Sequence, residues 1–197
     1  MGLALPNLDR PFRISADPGM SREEFWRFAA ENPSLRMELA SNGELLIMSP
    51  THGGTSSRNS YINRVLGNWA DEDNRGTVLD SNGACELRDG SVFCADAAWV
   101  SRARWVPPLP NETDVAVPCP EFVIELRSSS DRLKPLREKM AVWIANGAEL
   151  AWLVDPSRKA VEIYRPGREP KVLEGRSAVE GEGPVVGFVL ELGRIWG

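Results

Sequence analysis

The sequence predicts a mixed α/β domain in which helices flank a central mixed β-sheet. Apolar residues recur at helical spacing in three segments of the chain. Short apolar runs bounded by turn residues, which are typical of strands, lie between and after these segments. The resulting order of helix, strands, helix, strands, helix, strands is typical of a layered α/β fold.

Length and composition favour one globular domain over residues 1–197, with residues 1–20 as an N-terminal extension. The chain is 42% hydrophobic and 26% charged, which is ordinary for a globular protein. Its longest apolar runs are far shorter than the roughly 20 residues that span a bilayer. No basic segment followed by an apolar stretch opens the chain, so we expect no signal peptide and a cytoplasmic location.

Local signals divide the chain into elements. A capping-box pattern at Ser21 and Glu24 marks the first helix, and an Asn-Gly pair at 42–43 marks a hairpin turn. Asp131 is expected to cap the third helix, which Gly147 closes. The predicted helices cover residues 22–31, 54–72 and 132–146, and the predicted strands cover 35–39, 44–48, 77–80, 84–87, 92–100, 121–127, 150–154, 160–164 and 171–174.

A proline-rich segment interrupts this pattern at residues 104–120. Its five prolines exclude an interior strand or helix. A connection of this length is often a lid or an interface element. An inert surface loop is an equally good interpretation of the same composition.

Cysteine and histidine chemistry has little support. Cys85, Cys94 and Cys119 show neither a CxxC spacing nor a disulfide framework, so we expect buried reduced thiols. The single histidine, His52, excludes zinc sites that need several histidines. His52 precedes Gly53-Gly54 and could approach a phosphate or be a solvated loop residue.

The net charge of −5 is unusual for a protein that binds nucleic acid, since such proteins usually carry a basic surface. Local basic patches remain available around Arg102 and Arg104, or around Arg132, Lys134 and Arg137. An acidic chain of this kind is expected to bind DNA weakly without metal.

Two carboxylates on apolar, strand-like runs are the strongest functional signal. Asp96 and Glu125 stand where ionised side chains are rare unless they are paired or bind a metal. If their strands are neighbours, both can hold one Mg²⁺ or Mn²⁺ ion, with the backbone carbonyl of Leu126 as a further ligand. Glu38 could hold a second ion or a metal-bound water. Ordinary ion pairs at a sheet edge are the alternative.

A lysine on the third helix completes this group. At about 100° per residue, Lys139 falls next to Trp143 at the border of the apolar stripe, whereas Lys134 falls on the far side. The long stem of Lys139 can therefore follow the packed face and reach the sheet. There it would orient a water or stabilise charge on a phosphate.

The same residues lie in sequence blocks that resemble a known family. The blocks are RMELASNGELLIMSPTHGG, DAAWV, CPEFVIELRSSSD and KMAVWIANGAELAWLVDPSRKAVEIYRPG. They are similar to the Uma-type putative restriction endonuclease family, within the PD-(D/E)-x-K nuclease superfamily. The resemblance covers about residues 20 to 195. It implies a restriction-endonuclease-like core, Mg²⁺ as cofactor and DNA as substrate.

Carried over by position, the resemblance implies that Glu38, Asp96 and Glu125 are the acidic site residues. The superfamily spacing places the functional cation two residues after the last acid, at Arg127. Family members place it on the next helix, at Lys139. Both positions therefore remain candidates.

The function expected from the sequence is a Mg²⁺-dependent DNA endonuclease. A catalytically silent nucleic-acid-binding or protein-interaction module with the same fold is the alternative, and a hydrolase of small phosphoesters shares the metal chemistry. We also expect a homodimer, because two sites related by a two-fold axis suit the two strands of a duplex. The 105–120 loop with Trp105, and terminal strands ending in Ile195 and Trp196, are expected to supply apolar surface.

Overall fold

Two six-stranded sheets, rather than the single central sheet expected, carry the fold. The computed structural model describes residues 12–107 and 117–197. The helices are α1 (Arg22–Glu31), α2 (Gly53–Asp73), α3 (Leu133–Asn146) and α4 (Gly193–Trp196). The strands are β1 (Phe12–Ile14), β2 (Met37–Leu39), β3 (Leu45–Ile47), β4 (Gly76–Asp80), β5 (Ala84–Glu86), β6 (Val92–Cys94), β7 (Ala97–Ser101), β8 (Val117–Pro118), β9 (Phe122–Leu126), β10 (Leu150–Asp155), β11 (Ala160–Arg165), β12 (Arg168–Glu174), β13 (Ala178–Glu180) and β14 (Val189–Glu191).

Both large sheets are mixed, which confirms the predicted fold class. Sheet one has the order β1-β3-β2-β6-β5-β8, and its only parallel pair among the described strands is β5 with β8. Sheet two has the order β12-β11-β10-β9-β7-β4, with β9 and β10 parallel and joined through α3. The short strands β13 and β14 pair separately. Part of the expected N-terminal extension joins sheet one as its edge strand β1.

The predicted helices are confirmed to within two residues at each end. The Ser21 capping box forms as expected: Ser21 Oγ accepts from the Glu24 amide, and the Glu24 carboxylate accepts from the Ser21 amide. The prediction for Asp131 is wrong, because Arg132 is the N-cap residue of α3. The Asp131 carboxylate instead accepts a hydrogen bond from the Ser128 amide at 2.8 Å and stabilises the preceding loop.

The predicted long strand over 92–100 is also wrong as one element. It breaks at residues 95–96, because β6 pairs within sheet one and β7 within sheet two. The chain thus passes from one sheet to the other at Asp96. This crossing places Asp96 where the two sheets meet.

Sheet two is the centre of the core and is covered on both faces. Phe122, Ile124 and Leu126 of β9 pack in the cluster that contains α2 and the C-terminal segment. Val123 faces the other way, into the cluster that contains α3. The alternation expected along this strand is therefore confirmed, and it directs Glu125 toward α3.

The cysteines follow the prediction, since Cys85, Cys94 and Cys119 are free and buried. In the described part of the proline-rich segment, Val117–Pro118 form an edge strand, β8, a position that proline tolerates. Residues 108–116 lie outside the described part of the chain.

Among the described residues, no helix is long and apolar enough to cross a membrane.

The expected apolar surface at the C-terminus is not found. The last residues form the short helix α4 rather than a strand, and Ile195 is fully buried. Trp196 packs against the core, and its indole donates to the Arg176 carbonyl at 2.9 Å. Trp105 also packs on the core from the start of the proline-rich loop. These side chains therefore pack within their own chain.

A buried carboxylate on β11 anchors α3 to sheet two. Glu162 Oε2 accepts from Arg137 Nε at 2.9 Å and from the Tyr164 hydroxyl at 2.8 Å, and its Oε1 accepts from Arg158 at 3.0 Å. Burial acts to raise the pKa of Glu162, but these hydrogen bonds outweigh it and the pKa is lowered.

We predict that Glu162→Gln destabilises the protein by about 1–3 kcal/mol at neutral pH, the cost of losing charged hydrogen bonds. A lowered folded-state pKa contributes stability above the unfolded pKa and loses it as pH falls through the folded pKa. The difference in unfolding free energy between wild type and Glu162→Gln should therefore shrink below about pH 4.5. Urea unfolding from neutral pH to below about pH 4.5 measures this difference. Glu174→Gln, at an exposed partner of Arg158, should change stability by less than about 0.5 kcal/mol. A difference in unfolding free energy between wild type and Glu162→Gln that does not change with pH would contradict the prediction.

Candidate active site

Four segments that are distant in sequence bring charged side chains together where the two sheets meet. Glu38 comes from β2 of sheet one, and Glu125 comes from β9 of sheet two. Asp96 stands at the crossing between the sheets, and Lys139 comes from α3. The three acidic residues and the helix lysine predicted from the sequence thus converge.

Lys139 is the centre of this cluster. Its Nζ lies 2.8 Å from Oε1 of Glu38 and 2.8 Å from Oε1 of Glu125. It also donates to the Cys94 carbonyl at 3.0 Å. The side chain is 15% exposed, so its stem is packed and its head is largely removed from water. The position expected from the helix periodicity is confirmed, and all three donors of the ammonium group are used.

The two glutamates are each held by a further donor. Glu38 Oε1 accepts from the Cys94 amide at 3.0 Å, across the ladder of sheet one. Glu125 Oε1 accepts from the Trp143 indole at 2.9 Å. Both carboxylates are buried. They are therefore fixed in place by the strands around them and by α3.

Asp96 is held from three directions. Its Oδ2 accepts from the Leu126 amide at 2.8 Å. Its Oδ1 accepts from Asn59 Nδ2 at 3.3 Å and lies 3.5 Å from the Arg36 guanidinium. Asn63 donates to the backbone carbonyl of Asp96 at 2.9 Å. Asp96 is thus tied to β9, where Glu125 lies.

These supporting residues are not among those predicted from the sequence, although two of them carry a signal. Asn59 and Asn63 are four residues apart on α2 and therefore share one face of that helix. Arg36 lies two residues before Glu38, at the start of β2. The helix periodicity places Trp143 beside Lys139, but its indole hydrogen bond to Glu125 depends on contacts that only the fold creates.

Burial sets the protonation of the cluster. Burial raises the pKa of Glu125 to about 7; Lys139 opposes this shift, and the nearby charges of Asp96 and Glu38 add to it. Burial acts to lower the pKa of Lys139, but Glu125 and Glu38 outweigh it and raise that pKa. Lys139 is therefore a fixed positive charge at neutral pH. The pKa of the Cys94 thiol rises to about 12 by burial and the Glu38 charge, so Cys94 is no nucleophile.

Arg127 is directed away from the carboxylate cluster. Its NH1 donates to Asp155 at 2.7 Å and to the Ser157 hydroxyl at 3.2 Å, and its Nε donates to the Asp131 carbonyl. The strand alternation expected to carry it toward Glu125 ends with β9 at residue 126. Of the two candidate cations, Lys139 is the one in contact with the acidic residues.

The expected metal ligands form a sparse donor set. Within the described residues, no group of three or more histidine, cysteine, aspartate or glutamate side chains is arranged to hold a metal ion. Asp96 and Glu125 supply two carboxylates. The Leu126 amide points to Asp96, and in an extended strand the carbonyl of the same residue lies on the same side. Two carboxylates and a carbonyl suit Mg²⁺, which usually keeps several waters.

The surroundings of Asp96 leave polar atoms for such waters. Arg36 Nε, Asn59 Oδ1 and Asn63 Oδ1 are buried and have no hydrogen-bond partner. Buried polar groups normally have partners, so these atoms mark unused hydrogen-bonding capacity next to Asp96. The site therefore fits a hydrated hard cation better than a cation enclosed by protein ligands.

Comparison with known proteins agrees with this fold. The chain is similar to the crystal structure of a putative nuclease belonging to DUF820 from Anabaena variabilis ATCC 29413. The TM-score is 0.76 at 18% sequence identity, and the match covers 90% of this chain and 97% of that one. The two proteins therefore share one mixed α/β fold. A search of curated proteins finds no match.

The family follows from the sequence itself. The family model described as "Putative restriction endonuclease" (Uma2) matches residues 22–193, which is most of the chain. The protein belongs to this family. The resemblance seen in the sequence blocks is thereby confirmed.

We predict that Lys139→Met destabilises the protein by about 3–5 kcal/mol at about pH 8, because two buried carboxylates lose their counter-charge. The folded-state pKa of Glu125 should then rise further, because Lys139 is the neighbour that lowers it. The free energy of unfolding of the variant then keeps falling as pH rises toward the raised pKa. The difference from wild type should therefore be smaller at about pH 6 than at about pH 8. Denaturant unfolding at both pH values measures this.

The matched control is Lys134→Met on the same helix, where the lysine side chain is 88% exposed. Its effect should stay within about 0.5 kcal/mol at both pH values. Equal effects of the two substitutions would show that the Lys139 cluster contributes no special stability.

Proposed function

We propose that the protein is a Mg²⁺-dependent endonuclease that hydrolyses phosphodiester bonds in DNA. The observation that carries this proposal is the convergence of Asp96, Glu125 and Lys139 at the meeting of two sheets. Membership of the putative restriction endonuclease family supports it. A buried cluster with three acids and one lysine has no evident structural need, since apolar residues would pack there at lower cost.

Asp96, Glu125 and the carbonyl of Leu126 would hold Mg²⁺ or Mn²⁺. The bound ion would polarise the phosphate and lower the pKa of a bound water, which supplies the nucleophile. The chain's task is to hold both carboxylates in a fixed orientation. The Leu126 amide does this for Asp96, and Lys139 and Trp143 do it for Glu125.

Lys139 provides positive charge rather than proton transfer. Its raised pKa keeps it protonated, so it does not act as a general base near neutral pH. We assign it to the stabilisation of charge that develops on the phosphate oxygens. Glu38 then anchors the ammonium group from sheet one. Glu38 is thus a positioning residue in this proposal.

A catalytically silent module that binds nucleic acid or protein is the second candidate. It is favoured by one observation: all three donors of Lys139 are already satisfied by Glu38, Glu125 and the Cys94 carbonyl. Such a closed cluster could serve stability alone. Measurements of cleavage separate the two candidates.

We expect Asp96→Asn and Glu125→Gln each to reduce Mg²⁺-dependent nicking of supercoiled plasmid DNA by at least roughly a hundredfold, since each removes a charged metal ligand. Circular dichroism should show an intact fold. Glu149→Gln, at a half-exposed glutamate paired with Arg104, should retain wild-type activity. Wild-type nicking by either site variant would remove the catalytic assignment.

The two candidate cations can be separated by kinetics at saturating DNA. Lys139→Met should lower kcat by roughly two to four orders of magnitude, the scale of losing an electrostatic stabiliser. Arg127→Met should change kcat by less than about tenfold, because Arg127 contacts Asp155 and not the cluster. The opposite order would assign the role to Arg127, as the superfamily spacing implies.

We also propose a homodimer, on the ground that a duplex offers two antiparallel strands and one chain offers one site. The expected apolar residues give it little support, because Ile195 is buried and Trp196 packs within its own chain. Light scattering should give about 44 kDa, twice the 21.8 kDa of one chain. A monomer mass with Mg²⁺ present would restrict the protein to single-strand nicking.

A further inference from the structure

A polar cleft of about 310 Å³ opens between the start of α2 and the loops that follow β9 and β10. Two arginines, Arg58 and Arg127, contribute to its wall. None of the described residues that line it is acidic. Hydroxyl groups supply much of the remaining wall, from Thr55, Ser128, Ser129 and Ser157. A cavity with two guanidinium groups and several hydroxyls, but no carboxylate, is suited to an anion.

Arg58 supplies the uncompensated charge of this cleft. Its Nε donates to the Ile195 carbonyl at 2.7 Å, which fixes the plane of the guanidinium. Within the described residues it forms no ion pair, so the two terminal nitrogens keep their donors. A guanidinium held by Nε presents these donors as a fork that matches two phosphate oxygens.

Arg127 also lines the cleft and differs from Arg58 in being paired. Its charge is balanced by Asp155, which is fully buried behind it. The pair keeps the loop after β9 in place, and the Ser128 amide bond to Asp131 adds to this. The cleft is therefore built before any ligand arrives.

The first turn of α2 adds free backbone donors. Its N-cap residue, His52, makes no side-chain capping bond, and no acidic residue lies in this turn. A Cβ placed on Gly53 would meet no atom within 4 Å, so the backbone there is open to a ligand. Amide groups at the start of a helix favour phosphate, which strengthens the attraction of the two arginines.

The cleft adjoins the candidate active site on two sides. Asn59, the residue after Arg58, donates to Asp96. Arg127 directly follows Leu126, whose amide is bonded to the same Asp96 carboxylate. Arg58 and Arg127 are thus each the chain neighbour of a residue that is hydrogen-bonded to Asp96, so the cleft borders the candidate active site.

We propose that this cleft binds a backbone phosphate of the DNA strand next to the one that is cut. The proposal rests on the proposed nuclease function and adds the anchor for its substrate. It also accounts for how a chain of net charge −5 can hold a polyanion, through a local site rather than a basic surface.

The test is fluorescence anisotropy of a short fluorescein-labelled DNA duplex, with EDTA present so that no cleavage occurs. Arg58→Met should weaken the Kd roughly tenfold at about 0.1 M salt and lower the salt-dependence slope by about 1, as for one lost phosphate contact. Arg64→Met, an exposed arginine on the same helix, is the matched control and should leave the Kd within about twofold.

A second variant separates binding from folding. Thr55→Glu places an acid in the first turn of α2, where it should maintain or raise the melting temperature by its interaction with the helix dipole. The same charge in the cleft should weaken DNA binding at least as much as Arg58→Met does. Stability and affinity would then change in opposite directions, which a merely structural role of the cleft does not predict.

Four further outcomes would contradict the proposed anchor, and a fifth would support the anchor but reject the nuclease. Equal losses for Arg58→Met and Arg64→Met would indicate unspecific charge, and an unchanged Kd for Thr55→Glu would place the DNA elsewhere. Arg58-dependent binding of inorganic phosphate by calorimetry, without duplex binding, would make the cleft a site for free phosphate. Cleavage that needs Asp96 but not Arg58 leaves the nuclease intact without this anchor. Arg58-dependent binding without cleavage supports the anchor and rejects the nuclease.

Discussion

The buried ammonium group of Lys139 is the interaction on which the arrangement of the site depends. It links α3 to Glu38 of sheet one and to Glu125 of sheet two. Two carboxylates removed from water would otherwise be unpaired, at a cost of several kcal/mol for each ion. The chain therefore keeps a charged cluster in its interior at the junction of its two sheets. Buried clusters of interacting charged residues are more frequent at functional sites than elsewhere in proteins.

The same junction explains why catalytic and binding elements lie side by side. The chain crosses between the sheets at Asp96, and β9 ends at the neighbouring Leu126. Beyond that point the loop after β9 carries Arg127 to its buried partner Asp155. One end of sheet two thus brings the carboxylates of Asp96 and Glu125 next in sequence to the loop that carries Arg127 into the cleft. This arrangement suits a bound cation with a bound phosphate nearby.

Much of this arrangement could be predicted from local patterns. The capping box gave the start of α1, and helix periodicity placed Lys139 at the packed face, because both depend on residues a few positions apart. The break at Asp96 could not be found in this way, since β6 and β7 separate only when they pair with different sheets. The contact of Arg127 with Asp155 could not be predicted from local patterns either, because it depends on β10 lying beside β9.

Occupancy by metal is the most direct test of the central claim. Crystals soaked in Mn²⁺ and measured at its absorption edge would show the ion by anomalous scattering. The account predicts a peak within coordination distance of Asp96, Glu125 and the carbonyl of Leu126, with the Lys139 ammonium beside it. No peak at these residues, under conditions in which the dissolved protein cleaves DNA with Mn²⁺, would contradict it.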